Sequence, residues 1–218
     1  MKKDKTTDKK VFAVEVKEKE FLQRKKTVLG KADLSRSIDE AMIPLVEYLN
    51  SKDETFTTSC CSGRVSIVSQ AGFTDTVKEG CPWIFMSHEI IVDVDNVINI
   101  VSKGIDENEE NQVIIIKFEG AIAHFIVRTL SLGKKLLDAV RFVGFRDSGL
   151  AIGANGKFTV QIRGSNSLEV PISRGKDKLV TDEYLRFLLN ACNEKMEKNF
   201  KMIERLHKAI EAVLEAEG

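Results

Sequence analysis

The residues best suited to do chemistry lie in one short stretch, residues 57–64, with the sequence TTSCCSGR. Small hydroxyl and thiol groups let a ligand approach the backbone closely, and a glycine permits a strained turn. A guanidinium adds a planar fork that binds carboxylates and phosphates. The stretch therefore predicts a ligand pocket, although a serine-glycine-arginine sequence is also common in ordinary turns. The residues that would form the pocket are Ser59, Cys61, Ser62, Gly63 and Arg64.

Two histidines in strand contexts could transfer protons. Ser87 and His88 follow an apolar run at 83–86, so this polar pair should project from the rim of a sheet. His124 lies in the middle of the apolar run 122–127. Imidazole changes charge near neutral pH, which suits acid–base catalysis. The alternative for each is structural, as the end of a strand or as a hydrogen-bonded core residue, and His207 is expected on a helix surface.

Two arginines at predicted junctions could bind an anion. Arg146 and Ser148 follow Gly144, where a helix gives way to a strand, and Arg163 ends a later strand. Arginines in such places reach phosphates and carboxylates, but they equally cap helix carbonyls or form ion pairs. The basic run at residues 2–10 could touch a phosphate backbone, and a flexible tail explains it as well.

The composition is that of a globular protein of ordinary size. The chain has 218 residues, 43% of them hydrophobic, and its 33 basic and 33 acidic side chains cancel. This length can bury a sizeable core, and the zero net charge restricts any nucleic-acid contact to local patches. The apolar runs are far shorter than the roughly 18 residues of a membrane span. Residues 1–10 lack the apolar segment of a secretory signal, so we expect a cytoplasmic protein that does not bind membranes.

The four cysteines predict neither disulfides nor a zinc ribbon. Cys60 and Cys61 are adjacent, and neither Cys81 nor Cys192 completes a Cys-x-x-Cys spacing. Each is expected to be reduced and to pack as a small apolar group, with a reactive role left open for Cys61. The sequence also lacks the glycine-rich phosphate loops of nucleotide folds and the usual hydrolase motifs. The residues by themselves therefore do not specify a reaction.

Apolar spacing predicts five helices. The first covers residues 12–29 and ends at Gly30, and the second follows a capping box formed by Ser37 and Glu40, with Pro44 in its first turn. Two more cover 94–104 and 130–143, with an acidic loop at 106–111 between helix and strand. The stretch after Thr181 predicts a helix of roughly 50 Å. Its long apolar stripe must lie across the sheet or in another subunit.

Strand-forming runs occur at 55–58, 65–68, 83–86, 113–119, 122–128, 148–152, 157–163 and 168–172. Ser62-Gly63 should form a tight loop, and Gly120-Ala121 has the length of a hairpin connection. Asn155-Gly156 predicts a further hairpin, and Pro171 should lie at an edge or strand end. We therefore expect an α+β fold in a single domain, residues 1–218 with 1–10 as a flexible tail. It should have a mixed, mostly antiparallel sheet packed with helices and a long C-terminal helix.

In this order the segments resemble one family, the tRNA wybutosine-synthesizing protein 3 family. The ordered set, rather than any one piece, carries the resemblance, and it spans nearly the whole chain. The matching pieces are Ser37-Ile38-Asp39-Glu40, Thr57-Thr58-Ser59, Cys61-Ser62-Gly63-Arg64, Trp83 with Ser87-His88, Lys117-Phe118-Glu119, His124, Gly144-Phe145-Arg146 with Ser148-Gly149, Ile162-Arg163, Val170-Pro171, and Asn190-Ala191 with Asn193.

The resemblance implies an S-adenosylmethionine-dependent methyltransferase whose fold is not that of the Rossmann methyltransferases. Its expected partner is the anticodon loop of tRNA-Phe, and its expected product carries a methyl group on N-4 of 7-aminocarboxypropyl-demethylwyosine, an intermediate of wybutosine. No metal is expected. The implied site residues are Ser59, Cys61, Ser62, Gly63, Arg64 and Ser87 for the cofactor, His88 or His124 as proton acceptor, and Arg146, Ser148 and Arg163 for the substrate.

The sequence departs from the family pattern at two places. Cys60 stands where members usually carry serine, and Gly120-Ala121 where a glutamate-proline pair is frequent; we interpret both as drift. Two other functions remain open, a non-catalytic RNA-binding module and a thiol-dependent enzyme that uses Cys61 with His88. The oligomeric state is also open.

Overall fold

The computed structural model describes residues 16–30, 38–71, 83–153 and 157–217. The predicted tail at 1–10, Ser37 of the capping box, Cys81 and the Asn155-Gly156 turn lie outside these residues. The helices are α1 (Glu18–Leu29), α2 (Ile43–Ser51), α3 (Val94–Asp106), α4 (Leu130–Phe142) and α5 (Asp182–Glu217). The strands are β1 (Thr55–Cys61), β2 (Arg64–Ala71), β3 (Trp83–Ser87), β4 (Gln112–Glu119), β5 (Ile122–Val127), β6 (Gly149–Ile152), β7 (Phe158–Arg163), β8 (Ser167–Arg174) and β9 (Asp177–Lys178).

The strands form two sheets rather than the one that we expected. One sheet has the order β1-β5-β7-β6 and the other β3-β2-β4-β8-β9, and every pair is antiparallel. The α+β class and the absence of a parallel Rossmann sheet among the described strands are confirmed. Each sheet packs on its own apolar layer. The alternation of residues within a single strand does not indicate which of two sheets the strand joins, so the sequence did not predict the division.

The two sheets share one bent ribbon. Cys61 pairs with Ile122 in the first sheet and Arg64 pairs with Glu119 in the second, so β1-β2 and β5-β4 keep one register across the break. The expected hairpin at Gly120-Ala121 is therefore wrong, because this segment crosses from one sheet to the other. Ser62-Gly63 makes the opposite crossing, and Gly63 has a φ of +95°, a conformation that L side chains rarely adopt.

The long helix α5 joins the two apolar cores. Its first half, through Leu185, Leu188, Leu189, Cys192 and Met196, packs in the core of the five-stranded sheet. Its second half, through Ile203, Leu206, Ile210 and Leu214, packs in the core of the four-stranded sheet. The predicted apolar stripe thus finds its partner surface across both sheets of the same chain, and at 1.5 Å per residue the 36-residue helix is about 54 Å long.

Most predicted boundaries are confirmed within a few residues. Gly30 and Gly144 follow the ends of α1 and α4, and Gly144 has a φ of +115°. Pro44 lies in the first turn of α2, which follows a short 3₁₀ turn that begins after Asp39, whose side chain makes no capping hydrogen bond to it. The pairing of Ile152 with Phe158 confirms the β6-β7 hairpin. The acidic loop is not a wholly solvated connector, as we interpret its charges, because Asn108 is buried and accepts a hydrogen bond from the Ser69 hydroxyl.

Pro171 does not end its strand. It lies in β8 beside a β-bulge, where the register with β4 shifts between Ile114 and Ile115. Only Ser173 and Arg174 of β8 pair with β9, so the proline occupies the part of the strand that has one described neighbour. A missing N–H is tolerated in such a position because no ladder bond requires it there. Of the helices that the structure describes, none is long and apolar enough to cross a membrane.

Candidate active site

The site forms where the bent ribbon is broken. Ser62 and Ala121 would be partners if the ladder continued, but the side chain of Asn199 on α5 lies between them. Its Nδ2 donates to the Ser62 carbonyl at 2.5 Å, and its Oδ1 accepts from the Ala121 N–H at 2.9 Å. Asn199 is only 2% exposed, so its amide satisfies two buried backbone groups that the break leaves unpaired. The break is therefore built into the fold.

Asp39 satisfies the other strand group at the break and brings a carboxylate to the site. The Ser62 N–H donates to Asp39 Oδ2 at 2.6 Å, and the same oxygen is 3.3 Å from His88 Nδ1. His88 Nδ1 also lies 2.9 Å from the Gly63 carbonyl oxygen. A carbonyl can only accept, so the Nδ1 atom carries the proton and the other ring nitrogen, Nε2, is the proton acceptor of the neutral ring.

Cys61 completes this group, with its Sγ 3.6 Å from His88 Nδ1. Burial raises the pKa of the Cys61 thiol, a hydrogen bond with the Gly63 backbone opposes this rise, and the nearby Asp39 carboxylate adds to it. Burial also raises the pKa of the neighbouring Cys60 to about 11. Both thiols are therefore protonated near neutral pH, which disfavours the nucleophilic role left open for Cys61.

His124 contacts β1 at Ser59, two residues before Cys61. Ser59 pairs with His124 in the β1-β5 ladder, and Ser59 Oγ is 3.3 Å from His124 Nδ1. Ser59 and Cys61 point to one face of β1 because side chains alternate along a strand. Burial, followed by the positive charge of Arg163, lowers the pKa of His124. The neutral form of His124 thus prevails at neutral pH, and both imidazoles contact the same face of β1.

Arg64 extends the site along β2. Its Nε donates to Glu119 Oε2 at 2.6 Å, and its guanidinium carbon lies 5.1 Å from the centre of the Trp83 ring. The Arg64 and Glu119 side chains are 33% and 49% exposed, so the ion pair is partly solvated. The guanidinium is thereby fixed in orientation while part of it remains open to a ligand.

The other predicted site residues have different surroundings. Ser87 Oγ accepts from the N–H of Glu89 in its own loop. Ser148 is buried, and its Oγ accepts from the backbone N–H of Arg163. Ser62 is also buried, at 1% exposure. Arg163 and Arg146 are exposed. The described residues show no hydrogen bond or ion pair between Arg146 and Asp39, Cys61 or His88.

Asp39, Cys61 and His88 form the one group in the described ranges that could supply three ligand atoms to a metal ion, all within 4.8 Å of one another. His88 Nδ1 would have to lose the proton that it donates in the hydrogen bond to the Gly63 carbonyl before it could bind a metal. The same groups suit an organic cation directly, because a carboxylate attracts positive charge without losing a proton.

Sequence reasoning placed neither Asp39 nor Asn199 in the site. Asp39 precedes a helix, where an acidic residue is expected as a cap, and only the fold brings it to Ser62. Asn199 lies on the apolar stripe of α5 between Met196 and Ile203. A polar residue inside such a stripe is a signal for a buried hydrogen-bonding role, and this signal was available in the sequence.

Comparison with known proteins gives the chain a family. A sequence model described as Methyltransferase TYW3 matches residues 17–212. The tRNA wybutosine-synthesizing protein 3 homolog of Homo sapiens is 39% identical over 202 residues, which are 91% of this chain and 75% of the relative. The Pyrococcus abyssi protein named tRNA(Phe) 7-((3-amino-3-carboxypropyl)-4-demethylwyosine(37)-N(4))-methyltransferase 1 is 32% identical over 80% of this chain and 86% of its own length.

A solved structure agrees with the architecture. The PH1069 protein from Pyrococcus horikoshii superposes with a TM-score of 0.77 at 25% identity, covering 90% of this chain and 96% of that one. A protein from Aeropyrum pernix, at 20% identity and a TM-score of 0.66, shares the fold.

Proposed function

The chain belongs to the Methyltransferase TYW3 family, and we propose that it methylates N-4 of 7-aminocarboxypropyl-demethylwyosine beside the anticodon of tRNA-Phe. This reaction is a step of wybutosine biosynthesis. The observation that carries the proposal is the family match over residues 17–212, because it includes every residue of the Asp39, Cys61 and His88 group and both strands of the broken ribbon. We also propose the cytoplasm as the place of the reaction.

S-adenosylmethionine is the methyl donor in this proposal, and the donor set of the site fits it. The Asp39 carboxylate suits a sulfonium or an ammonium, and the Arg64 guanidinium suits a carboxylate. When bound, this cofactor supplies a methyl group on a sulfonium whose sulfur leaves as a neutral thioether. A metal ion has no step in this chemistry, and holding the donor and the nitrogen in line can contribute about 7–11 kcal/mol.

The chain's own residues orient the reactants and take the proton. The backbone at Gly63 and the Ser59 hydroxyl form the wall against which the donor packs in this proposal. His88, held through its Nδ1 by the Gly63 carbonyl, presents Nε2 as the atom that accepts the proton when the ring nitrogen is alkylated. Asp39, 3.3 Å from Nδ1, then stabilises the imidazolium.

His124 has a supporting role in the proposed reaction, as a hydrogen-bond acceptor. Its lowered pKa keeps the ring neutral, so it accepts a hydrogen bond from the substrate base. Arg163 and Arg146 supply positive charge for the phosphates of the tRNA loop, and Ser148 positions Arg163 through its backbone N–H. A base in an anticodon loop is single-stranded and enters such a pocket at low cost.

Nucleoside mass spectrometry tests the proposal directly. Phenylalanine tRNA that carries the intermediate is incubated with the protein and S-adenosylmethionine, and the expected product gains one methyl group on the tricyclic base. His88→Gln should lower kcat by about 10²–10⁴-fold. His124→Gln, which removes the second imidazole, is the matched comparison and should lower it less. If His124→Gln is the more damaging variant, the roles of the two histidines are reversed.

A non-catalytic RNA-binding module is the second candidate, and the exposed arginines at 146 and 163 favour it. Calorimetry separates the two. A methyltransferase binds S-adenosylmethionine with or without tRNA, whereas a pure RNA-binding module binds the anticodon stem-loop and shows no heat with the methyl donor. That second outcome would exclude the proposed reaction.

A further inference from the structure

We propose that Trp83, held beside Arg64, is a stacking platform for a planar heteroaromatic base. The base is either the adenine of the methyl donor or a base of the tRNA loop. Trp83 is 53% exposed, although tryptophan side chains are highly buried on average in folded proteins. Its contact with Arg64, a predicted site residue, gives this exposure a use that packing alone does not explain.

Arg64 connects Trp83 to the catalytic group. Its guanidinium carbon is 5.1 Å from the centre of the indole ring, within the range of a cation–π contact. Glu119 Oε2 accepts the Arg64 Nε–H and fixes the orientation of the guanidinium plane. Arg64 directly follows Gly63, whose carbonyl oxygen is 2.9 Å from His88 Nδ1. Trp83 pairs with Val68 and Ser87 pairs with Val65, so a base on the ring would lie roughly 13 Å along β3 from the end that carries His88, and the Arg64 side chain reaches across part of this distance.

Among the residues that the structure describes, the surroundings of Trp83 leave room for such a base. Trp83 begins β3, which is the edge strand of the five-stranded sheet and pairs only with β2 among the described strands. Trp83 also lines a cavity of about 480 Å³, together with Ser69, Ile84 and Lys103, at the end of β3 away from His88. This volume lies in the range of small-ligand sites. The indole ring of Trp83 is thus in contact with the Arg64 guanidinium and also borders a cavity.

Stacking fits the chemistry of either ligand. Every base presents a π face, so stacking on an aromatic ring is tolerant of sequence, and an arginine adds a cation–π contribution. The inference rests on the proposed function only in requiring a ligand that carries a base. It adds the group that holds this base, which the family match does not name.

The experiment uses the fact that Trp83 is the only tryptophan in the chain. Its fluorescence reports on the platform in the unmodified protein. One titration uses S-adenosylhomocysteine and a second uses the anticodon stem-loop, and each is paired with calorimetry and with acrylamide quenching. Ligand-dependent emission change and protection from acrylamide support the platform, and the arm in which they occur identifies which base stacks.

Failure of the platform and failure of the proposed function give different results. If calorimetry shows binding and the emission and acrylamide quenching of Trp83 stay unchanged in both arms, the platform is wrong and the proposed function stands. If neither ligand binds, both are wrong.

Variants give the size of the effect. Trp83→Leu should raise the KM of the stacked ligand by about 5- to 150-fold with little change in kcat, while Trp83→Phe, which keeps a ring, should lose much less. Phe142→Leu removes an aromatic side chain that is 91% exposed on α4 and is the matched control, with unchanged kinetics expected. A Trp83→Leu variant with the KM of the wild type would refute the platform. Circular dichroism checks the fold, and should Trp83→Leu fail to fold, the titrations of the unmodified protein decide.

Discussion

Replacing Gly63 by alanine should destabilise the protein and disturb its chemistry at the same point. An alanine Cβ would lie 2.7 Å from the Glu119 carbonyl oxygen and 3.0 Å from Asn199 Nδ2. The first contact is with backbone that is part of the β2-β4 ladder and cannot move alone. Gly63 also has a φ of +95°, which disfavours any residue with a Cβ.

The cost of Gly63→Ala follows from these two contributions. The left-handed conformation costs roughly 1–2 kcal/mol for an L residue. Overpacking adds about 1–3 kcal/mol. The stiffer unfolded chain returns roughly 0.4–1 kcal/mol. The net loss is about 3 kcal/mol, which at roughly 2–4 °C per kcal/mol for a protein of this size lowers the Tm by about 6–12 °C.

Thermal unfolding followed by circular dichroism measures this shift, and Gly149→Ala is the matched control. Nothing lies within 4 Å of a Cβ built at Gly149, and its φ is outside the left-handed range, so its Tm should stay near that of the wild type. Gly63→Ala should also lower kcat at a temperature where it is folded, because the Gly63 carbonyl holds His88. Equal melting temperatures for the two variants would refute the reasoning.

Four further changes test other parts of the site. Arg64→Ala should lower kcat/KM by at least about 10-fold, because a charge-assisted hydrogen bond to the ligand is lost. Its half-exposed ion pair with Glu119 contributes only roughly 0–1 kcal/mol to stability. A Tm change much above about 4 °C would therefore mean that Arg64 has a structural role. Replacing Cys60 and Cys61 together by serine should leave turnover largely intact; its abolition in a folded variant would revive the thiol mechanism. Asn199→Ala leaves two buried backbone groups unpaired and should lower the free energy of unfolding by about 2–4 kcal/mol, measured by urea denaturation, and a loss below about 1 kcal/mol would contradict the role given to its amide. His124→Gln tests the pH dependence of stability. Burial lowers the pKa of His124 below its ordinary 6.5 in the folded state, so the unfolded chain binds this proton more readily and stability is lost as the pH falls below about 6.5. The urea midpoint of His124→Gln should fall less steeply over this pH range than that of the wild type, and an identical pH dependence would contradict the assignment.

Local pattern predicted the elements well because each depends on nearby residues. The stripe of α5 and the ends of α1 and α4 follow from apolar spacing and from glycine at the helix ends. The stretch from Ser59 to Arg64 could be chosen as a pocket because small polar groups, a glycine and an arginine are adjacent in the chain.

Long-range pairing could not be predicted in the same way. Gly120-Ala121 has the length of a hairpin, and only the positions of β4 and β5 in different sheets show that the chain crosses there. Asp39 and Asn199 join Ser62 from 23 and 137 residues away. A carboxylate before a helix has a common structural use as a cap, and the polar Asn199 in an apolar stripe indicates a buried hydrogen bond without saying which strands it joins.

The amide of Asn199 has a consequence for the order in which the protein matures. Both strands of the broken ribbon precede residue 128, whereas the side chain that keeps them apart arrives with α5. A nascent chain without that helix already holds Cys61, both imidazoles and Arg64, but the Ser62 carbonyl and the Ala121 N–H at the break still lack their partner. The site therefore acquires its final shape only after α5 has been synthesised and has packed against both sheets.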